Sequence, residues 1–432
     1  MSGRIITLVN PPSAPGTTAN REGAAGLGTV VPGEGAFAYP PQTIATMVTM
    51  LKAEGFEVRV VDAVAGGLDI KRACAQSVVC DPAVVGVFTS YATRQIDAAF
   101  LVALREMCSV PLVAFGPATR FLVEQLVADA VLCGEPELAI APLCRVLLGG
   151  NPPRGTIWPH NLGLCGYDNG GLIEDLGALP RPSWDCVPWR DYGFLTITGS
   201  RGCPDPCAYC PYSVAGGHCI RVRLPEDIAE EMAWIERDFA PPRMVFRDPV
   251  FAHSRERVVS LCQEIRRRGI RIPWECESRP EHFDAELVRL MAQSGCHCLK
   301  IGLESADPQV LVNVRRVNTV DEGNRYLAQV RQLVKVCAEI GVLCRVFVMP
   351  GLPGSNVASA EKTAAFLRDV APPAIHVRVF DVYPGTALEG AARAQSWAEQ
   401  ATILGAAAME AEKVARQGKP SWQGRLRRVL RR

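Results

Sequence analysis

Hydrophobic positions in the first third of the chain recur in two patterns that alternate along the sequence. Short apolar runs predict strands, and apolar residues spaced three or four apart predict helices between them. The predicted strands cover 4–9, 57–62, 84–89, 111–116 and 130–133, with helices at 42–54 and 96–107 and one that ends at 148. This alternation favours a doubly wound parallel sheet, which binds ligands at the carboxyl ends of its strands. The glycine-rich stretch 13–37 lacks periodicity and predicts a long flexible loop.

A second series of strand and helix patterns begins at residue 194. Its six predicted strands are 194–198, 243–248, 272–277, 298–305, 343–349 and 375–380. Six strand–helix units favour a partial (β/α)6 TIM-type barrel, with the active site at the carboxyl ends of its strands. The predicted fold class is α/β, with domains at 1–150 and 194–390, a linker at 151–193, and a helical, basic C-terminal tail at 391–432.

Composition and charge narrow the class of partner. The 46 Lys and Arg against 45 Asp and Glu give a net charge of +1, which provides no global field for nucleic acid or anionic lipid. No apolar segment reaches the roughly eighteen residues of a membrane span, so we expect a cytoplasmic protein. The last twenty residues hold eight Lys and Arg and no acid. That end is typical of a solvated tail, with peripheral contact to anionic lipid or an acidic partner as the alternative.

Three cysteines in one short loop carry the most specific signal. Cys203, Cys207 and Cys210 follow a predicted strand at the spacing C-x3-C-x2-C, in a loop that glycine and prolines keep from becoming helical. Thiolates are the usual protein ligands of iron–sulfur clusters, and three of them leave one iron of a four-iron cluster open. A zinc site is the alternative, but zinc takes four ligands, and the nearest candidates, His218 and Cys219, lie eight and nine residues on.

The strand, the three-cysteine loop and Tyr209 just before the third cysteine resemble the radical S-adenosylmethionine (SAM) superfamily. The resemblance implies a 4Fe-4S cluster on these cysteines, with the amino and carboxylate groups of SAM on the open iron. It also implies roles for residues at the strand ends. Asp248 and Arg279 would meet the substrate or the methionine part, and we name them as catalytic. The other SAM-binding residues implied are Tyr209, Glu304, Ser305, Met349 and Pro350.

The first half resembles the cobalamin-binding domain that precedes many radical SAM barrels. The matching stretches are 39–41, 61–63, 89–90 and 134–137. The D-x-H-x-x-G signature of domains that supply a histidine to cobalt is absent, and the first histidine of the chain is His160. The resemblance therefore implies base-off cobalamin with no histidine from this domain. The residues expected at its site are those of the strand-end loops: Pro11, Pro12, Ser90, Tyr91, Gly116, Pro117, Gly134 and Glu135.

The two resemblances together imply a cobalamin-dependent radical SAM methyltransferase. Such an enzyme would move a methyl group via methylcobalamin to an unactivated carbon of a small molecule, and would be reduced by a flavodoxin or ferredoxin. An enzyme with the same cofactors that forms or contracts a ring, or oxygenates its substrate, is the alternative. A cobalamin-dependent sensor is a third reading, although a sensor needs no radical source. A methylthiotransferase is disfavoured because the first half has no second three-cysteine group.

Overall fold

The computed structural model describes residues 4–150, 164–165 and 171–417. The chain divides into two compact units. The first unit comprises Met1–Thr196 and Pro211–Val222, and the second comprises Ile197–Cys210 and Arg223–Arg432. The predicted division into four functional segments stays a prediction. Within the described ranges, no helix is both long and apolar enough to cross a membrane.

The strands and helices alternate along most of the described chain. The strands are β1 Ile5–Asn10, β2 Thr17–Asn20, β3 Thr29–Pro32, β4 Glu57–Asp62, β5 Val84–Phe88, β6 Leu112–Gly116, β7 Ala130–Cys133, β8 Leu164–Cys165, β9 Leu195–Ile197, β10 Ser200–Arg201, β11 Arg221–Val222, β12 Met244–Phe246, β13 Trp274–Glu277, β14 Cys296–Glu304, β15 Leu343–Val348 and β16 Ala374–Val377. The helices are α1 Gln42–Ala53, α2 Ile70–Val78, α3 Arg94–Met107, α4 Ile140–Leu147, α5 Trp189–Tyr192, α6 Tyr212–Gly216, α7 Pro225–Asp238, α8 Arg255–Arg267, α9 Ala285–Gln293, α10 Pro308–Asn313, α11 Val320–Ile340, α12 Val357–Val370 and α13 Trp397–Gln417.

The first unit is built on a six-stranded parallel sheet in the order β4-β1-β5-β6-β7-β8. The order reverses between β1 and β5, which is the topological switch point of a doubly wound sheet. Every residue of β5 and β6 is buried, as expected when helices cover both faces of a parallel sheet. The doubly wound parallel fold predicted from the alternating pattern is confirmed.

The stretch 13–37 is not the flexible loop that its glycines predict. It contains the antiparallel pair β2–β3 and a short 3-10 turn, Ala24–Gly26. Ala19 and Leu27 are buried inside it. The backbone N–H of Ala92, just beyond β5, donates to the carbonyl of Leu27 at 3.1 Å. The hairpin therefore folds onto the strand-end loops of its own unit, because its few apolar residues find a surface there.

The second unit is built on a parallel sheet in the order β16-β15-β14-β13-β12-β9. Buried and partly exposed residues alternate along β15, so one face of the strand is covered and the other is not. Three helices begin where the sequence places a capping side chain: Ser254, Asp284 and Thr319 each accept a backbone N–H from the first turn. The six parallel strands predicted for the barrel are confirmed.

The described part of the connector between the predicted domains, 171–193, packs within the first unit. The Tyr192 hydroxyl donates to Asp62 Oδ2 at 2.7 Å, and Asn10 Nδ2 donates to Asp62 Oδ1 at 2.9 Å. The Trp184 side chain is fully buried. These contacts tie the connector to the carboxyl ends of β1 and β4. The rest of the predicted linker, at 151–163 and 166–170, and the basic end at 418–432 lie outside the described residues.

Candidate active site

The three-cysteine loop joins β10 to α6, and Gly202 opens it with a positive φ of 86°. Only glycine takes that backbone conformation without strain, so the sharp turn after β10 requires it. Cys203 and Cys207 are 6% and 8% exposed. The N–H of Cys210 donates to the carbonyl of Cys207, which makes the end of the loop a tight turn. The N–H of Ala208 donates to the carbonyl of Val314 at 2.9 Å, and this bond ties the loop to the segment after α10.

Two guanidinium groups face the sulfur of Cys207. Arg279 Nη1 lies 3.9 Å from Cys207 Sγ, and Arg316 Nη1 lies 3.6 Å from it. Arg279 Nη2 also donates to the carbonyl of Arg316 at 3.0 Å, and its Nη1 lies 3.5 Å from Asp205 within the loop. Two positive groups therefore lie within 4 Å of a predicted cluster ligand. Arg279, predicted to meet the substrate or the methionine part, lies beside the cysteine loop, and Arg316 was not singled out from the sequence.

The donor set of the loop suits an iron–sulfur cluster. Burial raises the pKa of the Cys203 thiol to about 12, so this sulfur keeps its proton until a metal displaces it. Across the part of the chain that is described, no three His, Cys, Asp or Glu side chains already converge as a metal site. The assignment of the three ligands thus rests on the loop and on the chemistry of its thiols, and it stays a prediction.

Tyr209 reaches from the cysteine loop to the end of β14. Its hydroxyl donates to Glu304 Oε1 at 3.1 Å, and both side chains are buried. Burial raises the pKa of the Glu304 carboxyl, although Arg316 and the Tyr209 hydroxyl oppose this shift. Glu304 has a φ of 62°, and the register of β14 shifts at this point. A non-glycine residue in this region is strained, and such strain is found at functional sites.

Met349 and Pro350 follow β15 beside the same strand end. The N–H of Met349 donates to the carbonyl of Glu304 at 2.9 Å, and Pro350 accepts from the N–H of Phe380 at 2.9 Å. The Met349 side chain packs against an apolar cluster formed by Cys207, Tyr209, Val310, Val314, Leu352 and Phe380. The structure therefore brings Met349, Glu304 and the cysteine loop together.

The side chains of Asp248 and Ser305 are both engaged by nearby protein groups. Asp248 is 1% exposed, and its Oδ1 accepts from the N–H of Gly199 at 2.7 Å. Its Oδ2 accepts from Ser200 Oγ at 2.6 Å and lies 3.3 Å from Arg257. Both oxygens are thus engaged by the turn before the cysteine loop, which is a supporting rather than a substrate-facing position. The hydroxyl of Ser305 accepts from the N–H of Asp307 at the start of α10.

In the first unit, the loops predicted from the strand ends meet around a buried cation, Arg21, that no sequence pattern singles out. Arg21, 2% exposed, donates to the carbonyls of Pro11 and Pro12 at 2.7 and 3.1 Å. It pairs with Asp97 at 2.5 Å. Asp97 in turn accepts from the N–H of Ser90 at 3.0 Å. A single ion pair therefore fixes two of the predicted ligand-binding loops against each other.

Other predicted residues at this sheet edge are tightly packed. A Cβ on Gly116, where φ is 141°, would lie 2.3 Å from the carbonyl oxygen of Thr89. A Cβ on Gly26 of the hairpin turn would meet Pro117 at 2.6 Å. Gly134 has a φ of 84°. The ring of Tyr91 stacks under the guanidinium of Arg94, whose Cζ lies 4.3 Å from the ring centroid, and Tyr91 and Pro117 are only partly buried.

Glu135 is buried and fully engaged. Arg221 Nη1 and Nη2 each donate to one of its oxygens at 2.8 Å, and Ile173 N–H donates at 2.7 Å. Its predicted role toward a corrin would have to go through its backbone, because both carboxylate oxygens are occupied. No sequence pattern links Glu135 to Arg221, which is 86 positions away.

Comparisons with known proteins add a family and a fold. Residues 197–367 match the model of the Radical SAM superfamily. The chain is 26% identical over 369 residues to the uncharacterized methyltransferase PH0819 of Pyrococcus horikoshii, and this covers 81% of the chain and 77% of that protein.

Two solved enzymes share the fold. TsrM of Kitasatospora setae, a radical SAM methyltransferase solved with cobalamin and a 4Fe-4S cluster, matches with a TM-score of 0.69 and 20% identity. The match covers 90% of this chain and 74% of TsrM. A second TsrM structure holds tryptophan as substrate and the SAM analogue aza-SAM. OxsB, a cobalamin-dependent SAM radical enzyme, matches with a TM-score of 0.64 and 15% identity over 95% of this chain and 56% of OxsB.

The match of the family model includes Cys203, Cys207 and Cys210 and extends through β15. The cysteine loop, the two guanidiniums beside it and the Tyr209–Glu304 contact all lie within that span. Residues 197–367 therefore match the Radical SAM superfamily, and the chain shares the fold of the solved enzymes TsrM and OxsB.

Proposed function

We propose that the chain is a cobalamin-dependent radical SAM methyltransferase that moves a methyl group to an unactivated carbon of a small molecule. The observation that carries this proposal is the cysteine loop, faced by Arg279 and Arg316, in a chain whose fold matches TsrM over 90% of its length. We also propose that the enzyme acts in the cytoplasm and receives electrons from a flavodoxin or ferredoxin. When bound, the cluster would supply the electron that cleaves SAM, and the corrin would carry the methyl group.

Within the second unit, the chain's own residues would prepare the SAM site. Arg279 and Arg316 lower the cost of holding a thiolate at Cys207, since a cation beside a buried anion offsets its desolvation. The Tyr209 hydroxyl fixes the Glu304 carboxylate, so that the remaining oxygen is oriented in advance. The apolar cluster beneath Met349 excludes water from the same strand end.

Within the first unit, the Arg21–Asp97 pair would hold the Pro11–Pro12 and Ser90 loops at the edge where the corrin tail is proposed to bind. No histidine precedes His160, so the corrin would be base-off without a histidine from the predicted cobalamin-binding domain, 1–150. An electron paramagnetic resonance spectrum of the bound Co(II) form tests this. Nitrogen superhyperfine splitting from a protein ligand would contradict it.

The cluster assignment is tested by changing Cys203, Cys207 and Cys210 singly to Ala. Each variant should lose the four-iron absorbance and the formation of 5'-deoxyadenosine while it retains corrin binding. Cys219→Ala is the matched control, because Cys219 is an exposed cysteine nine residues beyond the loop. Normal iron content in all three loop variants would show that the loop does not hold the cluster.

The methyl transfer itself is tested with methyl-labelled SAM and candidate substrates, with and without added cobalamin. The label should appear in a product carbon only when cobalamin is present. A modified product without the label would favour the alternative, an enzyme that uses the same cofactors for ring formation, ring contraction or oxygenation. Labelled product from cobalamin-free enzyme would overturn the corrin as methyl carrier.

A further inference from the structure

One face of the second unit's sheet carries charged side chains. Residues paired across neighbouring parallel strands point to the same face. The register aligns Glu277 of β13 with Lys300 of β14 and with Arg345 of β15. On β16, His376 pairs with Phe347, two residues after Arg345, and therefore lies on the same face. Arg378 is two residues further along, and its N–H donates to the carbonyl of Val348. We call this surface, formed by Glu277, Lys300, Arg345, His376 and Arg378, the charged face.

The opposite face of the same strands is apolar. Leu299, Ile301 and Val346 alternate with the charged residues along β14 and β15, and each is fully buried. Helices α9 and α11 pack against these two strands. The helices therefore cover the apolar face, and the charged face is the one left to line the interior of the partial barrel.

Cations outnumber acids on the charged face. Glu275 lies 3.3 Å from Lys300 Nζ, 3.9 Å from Arg345 Nη1 and 3.4 Å from Arg243 Nε. One buried carboxylate is thus shared among three cations. The combined pull of these cations is strong enough to hold the pKa of Glu275 below its usual range despite burial. Glu277, the other acid of this face, also acts on Lys300 and on Arg378, so Glu275 and Glu277 are shared among Arg243, Lys300, Arg345 and Arg378.

Arg345 and Arg378 have the least compensation. The Arg345 side chain is 30% exposed, and over the described ranges its contact with Glu275 is its one ion pair. The Arg378 side chain is exposed and makes a hydrogen bond with Tyr383. It has no ion pair among the described residues, and Glu277 is the acid of this face that acts on it. Burial and the nearby Arg345, Arg378 and Lys300 lower the pKa of His376, which shows that these cations act on one region.

This region lies next to the proposed SAM site along the strands. Glu277 is followed two residues later by Arg279, and Lys300 is followed four residues later by Glu304. Guanidinium groups bind carboxylates and phosphates through paired hydrogen bonds, and partial exclusion of water strengthens such bonds. An under-compensated pair of arginines on an inner surface is therefore suited to an anionic ligand.

We propose that Arg345 and Arg378, supported by Lys300, bind an anionic group of the small-molecule substrate, either a carboxylate or a phosphate. The proposal rests on the proposed function, because it names the chemical class of substrate for that reaction. It assigns the charged face to recognition and leaves the cysteine loop to the chemistry.

The test is arginine modification by phenylglyoxal on the full, cluster-loaded chain, with the labelled peptides quantified by mass spectrometry. Inorganic phosphate and glutarate serve as probes, at an ionic strength matched with sodium chloride. We expect a probe to slow labelling of Arg345 and Arg378 about tenfold, since a bidentate anion blocks both guanidinium nitrogens. Arg368, on α12 and paired with Glu410, is the internal control and should label at an unchanged rate. Protection by one probe and not the other identifies a phosphate or a carboxylate.

Single-residue variants test whether Arg345 and Arg378 bind the same anion. R345Q should weaken the protection of Arg378, and R378Q that of Arg345, whereas R368Q should leave both unchanged. The proposal is wrong if neither probe slows labelling in the unmodified chain. It is also wrong if SAM alone protects both arginines as well as the probes do, because they would then serve the methionine carboxylate.

The two proposals fail separately. Unprotected arginines in a chain that forms 5'-deoxyadenosine normally would overturn the anion site alone. Protected arginines in a chain that never cleaves SAM would overturn the proposed reaction and leave an anion site of another enzyme.

Discussion

Asp248 was predicted to be catalytic, and its surroundings point to a different task. It lies at the end of β12, where partial barrels place functional side chains, but the turn at Gly199 and Ser200 occupies both of its oxygens. That turn leads directly into the cysteine loop. A carboxylate used in this way positions the ligands of a cluster without touching the substrate.

We predict that Asp248→Asn destabilises the second unit by about 3 kcal/mol, because the new amide presents N–H groups to the donors of Ser200 and Arg257. Iron content should fall together with stability. Denaturant unfolding and iron analysis measure the two effects, with the exposed Glu361→Gln as control. A variant that is stable and fully iron-loaded but forms no 5'-deoxyadenosine would restore the catalytic reading.

His297 gives the stability of the second unit a dependence on pH. Burial lowers the pKa of this histidine from its ordinary value of 6.5, and its Nδ1 is buried without a hydrogen-bond partner among the described residues. The unfolded chain therefore binds more protons than the folded chain in mild acid, and stability rises with pH across that window.

We predict that the unmodified chain loses about 1 kcal/mol of stability when the pH falls from about 7.5 to about 5 through this group, and that His297→Asn loses less. Thermal unfolding of the cofactor-free chain at the two pH values measures the difference. His253→Asn, at an exposed histidine of the same unit, should keep the slope of the unmodified chain. Equal slopes for His297→Asn and the unmodified chain would remove His297 as the cause.

At the scale of elements, the hairpin β2–β3 is the part of the fold that changes the picture of the first unit. Its turn lies against the loops that were predicted to meet the corrin. A Cβ on Gly28 would lie 2.0 Å from Ser90 Oγ, whereas a Cβ on Gly33 would meet nothing within 4 Å. Both glycines have positive φ, at 84° and 94°. Substitutions at Gly33 and Gly28 therefore distinguish the cost of backbone strain alone from the cost of strain together with a steric clash.

We predict that Gly33→Ala costs about 1 kcal/mol, from its left-handed backbone alone. Gly28→Ala should cost about 2 kcal/mol more, because the new methyl group displaces Ser90. Hydrogen exchange of peptides that cover β5 and the following loop reads the difference locally. Equal protection in the two variants would mean that the hairpin turn does not hold the Ser90 loop.

Regular elements could be predicted from the sequence because their periodicity is long. The bounds of β4 and β7 agree with the predicted ranges, and the parallel order of both sheets follows from alternation. The hairpin was missed because its strands have four residues each and few apolar positions. Helix α2 was missed because its polar residues dilute the pattern.

The residues of the candidate site also fall into those that could be named from the sequence and those that could not. Tyr209, Arg279, Glu304 and Met349 could be named from the family resemblance because they stand at the ends of predicted strands or in the cysteine loop, and the structure brings them close together. Their roles toward SAM stay predictions. Arg21 and Arg316 could not be predicted. Each lies in a stretch without periodicity, and key partners, Asp97 for Arg21 and Cys207 for Arg316, are distant in sequence, so only the folded chain brings them together.

At the scale of the whole molecule, the first unit is discontinuous. Its last segment, Pro211–Val222, follows the cysteine loop in the chain. Arg221 in that segment donates two side-chain hydrogen bonds to the buried carboxylate of Glu135. A buried acid that loses its cation is strongly destabilising.

We predict that a fragment of residues 1–222 folds more stably than one of residues 1–196, by about 3 kcal/mol, because only the longer fragment contains Arg221. Denaturant unfolding followed by circular dichroism compares them. Arg221→Met in the longer fragment should remove most of the gain. Equal stability of the two fragments would show that Pro211–Val222 contributes nothing to the first unit.

The discontinuity has a consequence for biosynthesis. The ribosome releases the chain from its amino end, so the first unit waits for Arg221 to emerge before its buried acid is neutralised. By then the cysteine loop has also emerged, and the segments before and after it both belong to one folding unit. The three thiols would thus be presented on a short tether, closed at both ends, while the strands from β12 onward are still being made. Cluster delivery to the nascent chain would then meet a tethered loop before Val314, Arg279 and Arg316, which contact the loop in the finished barrel, have been made.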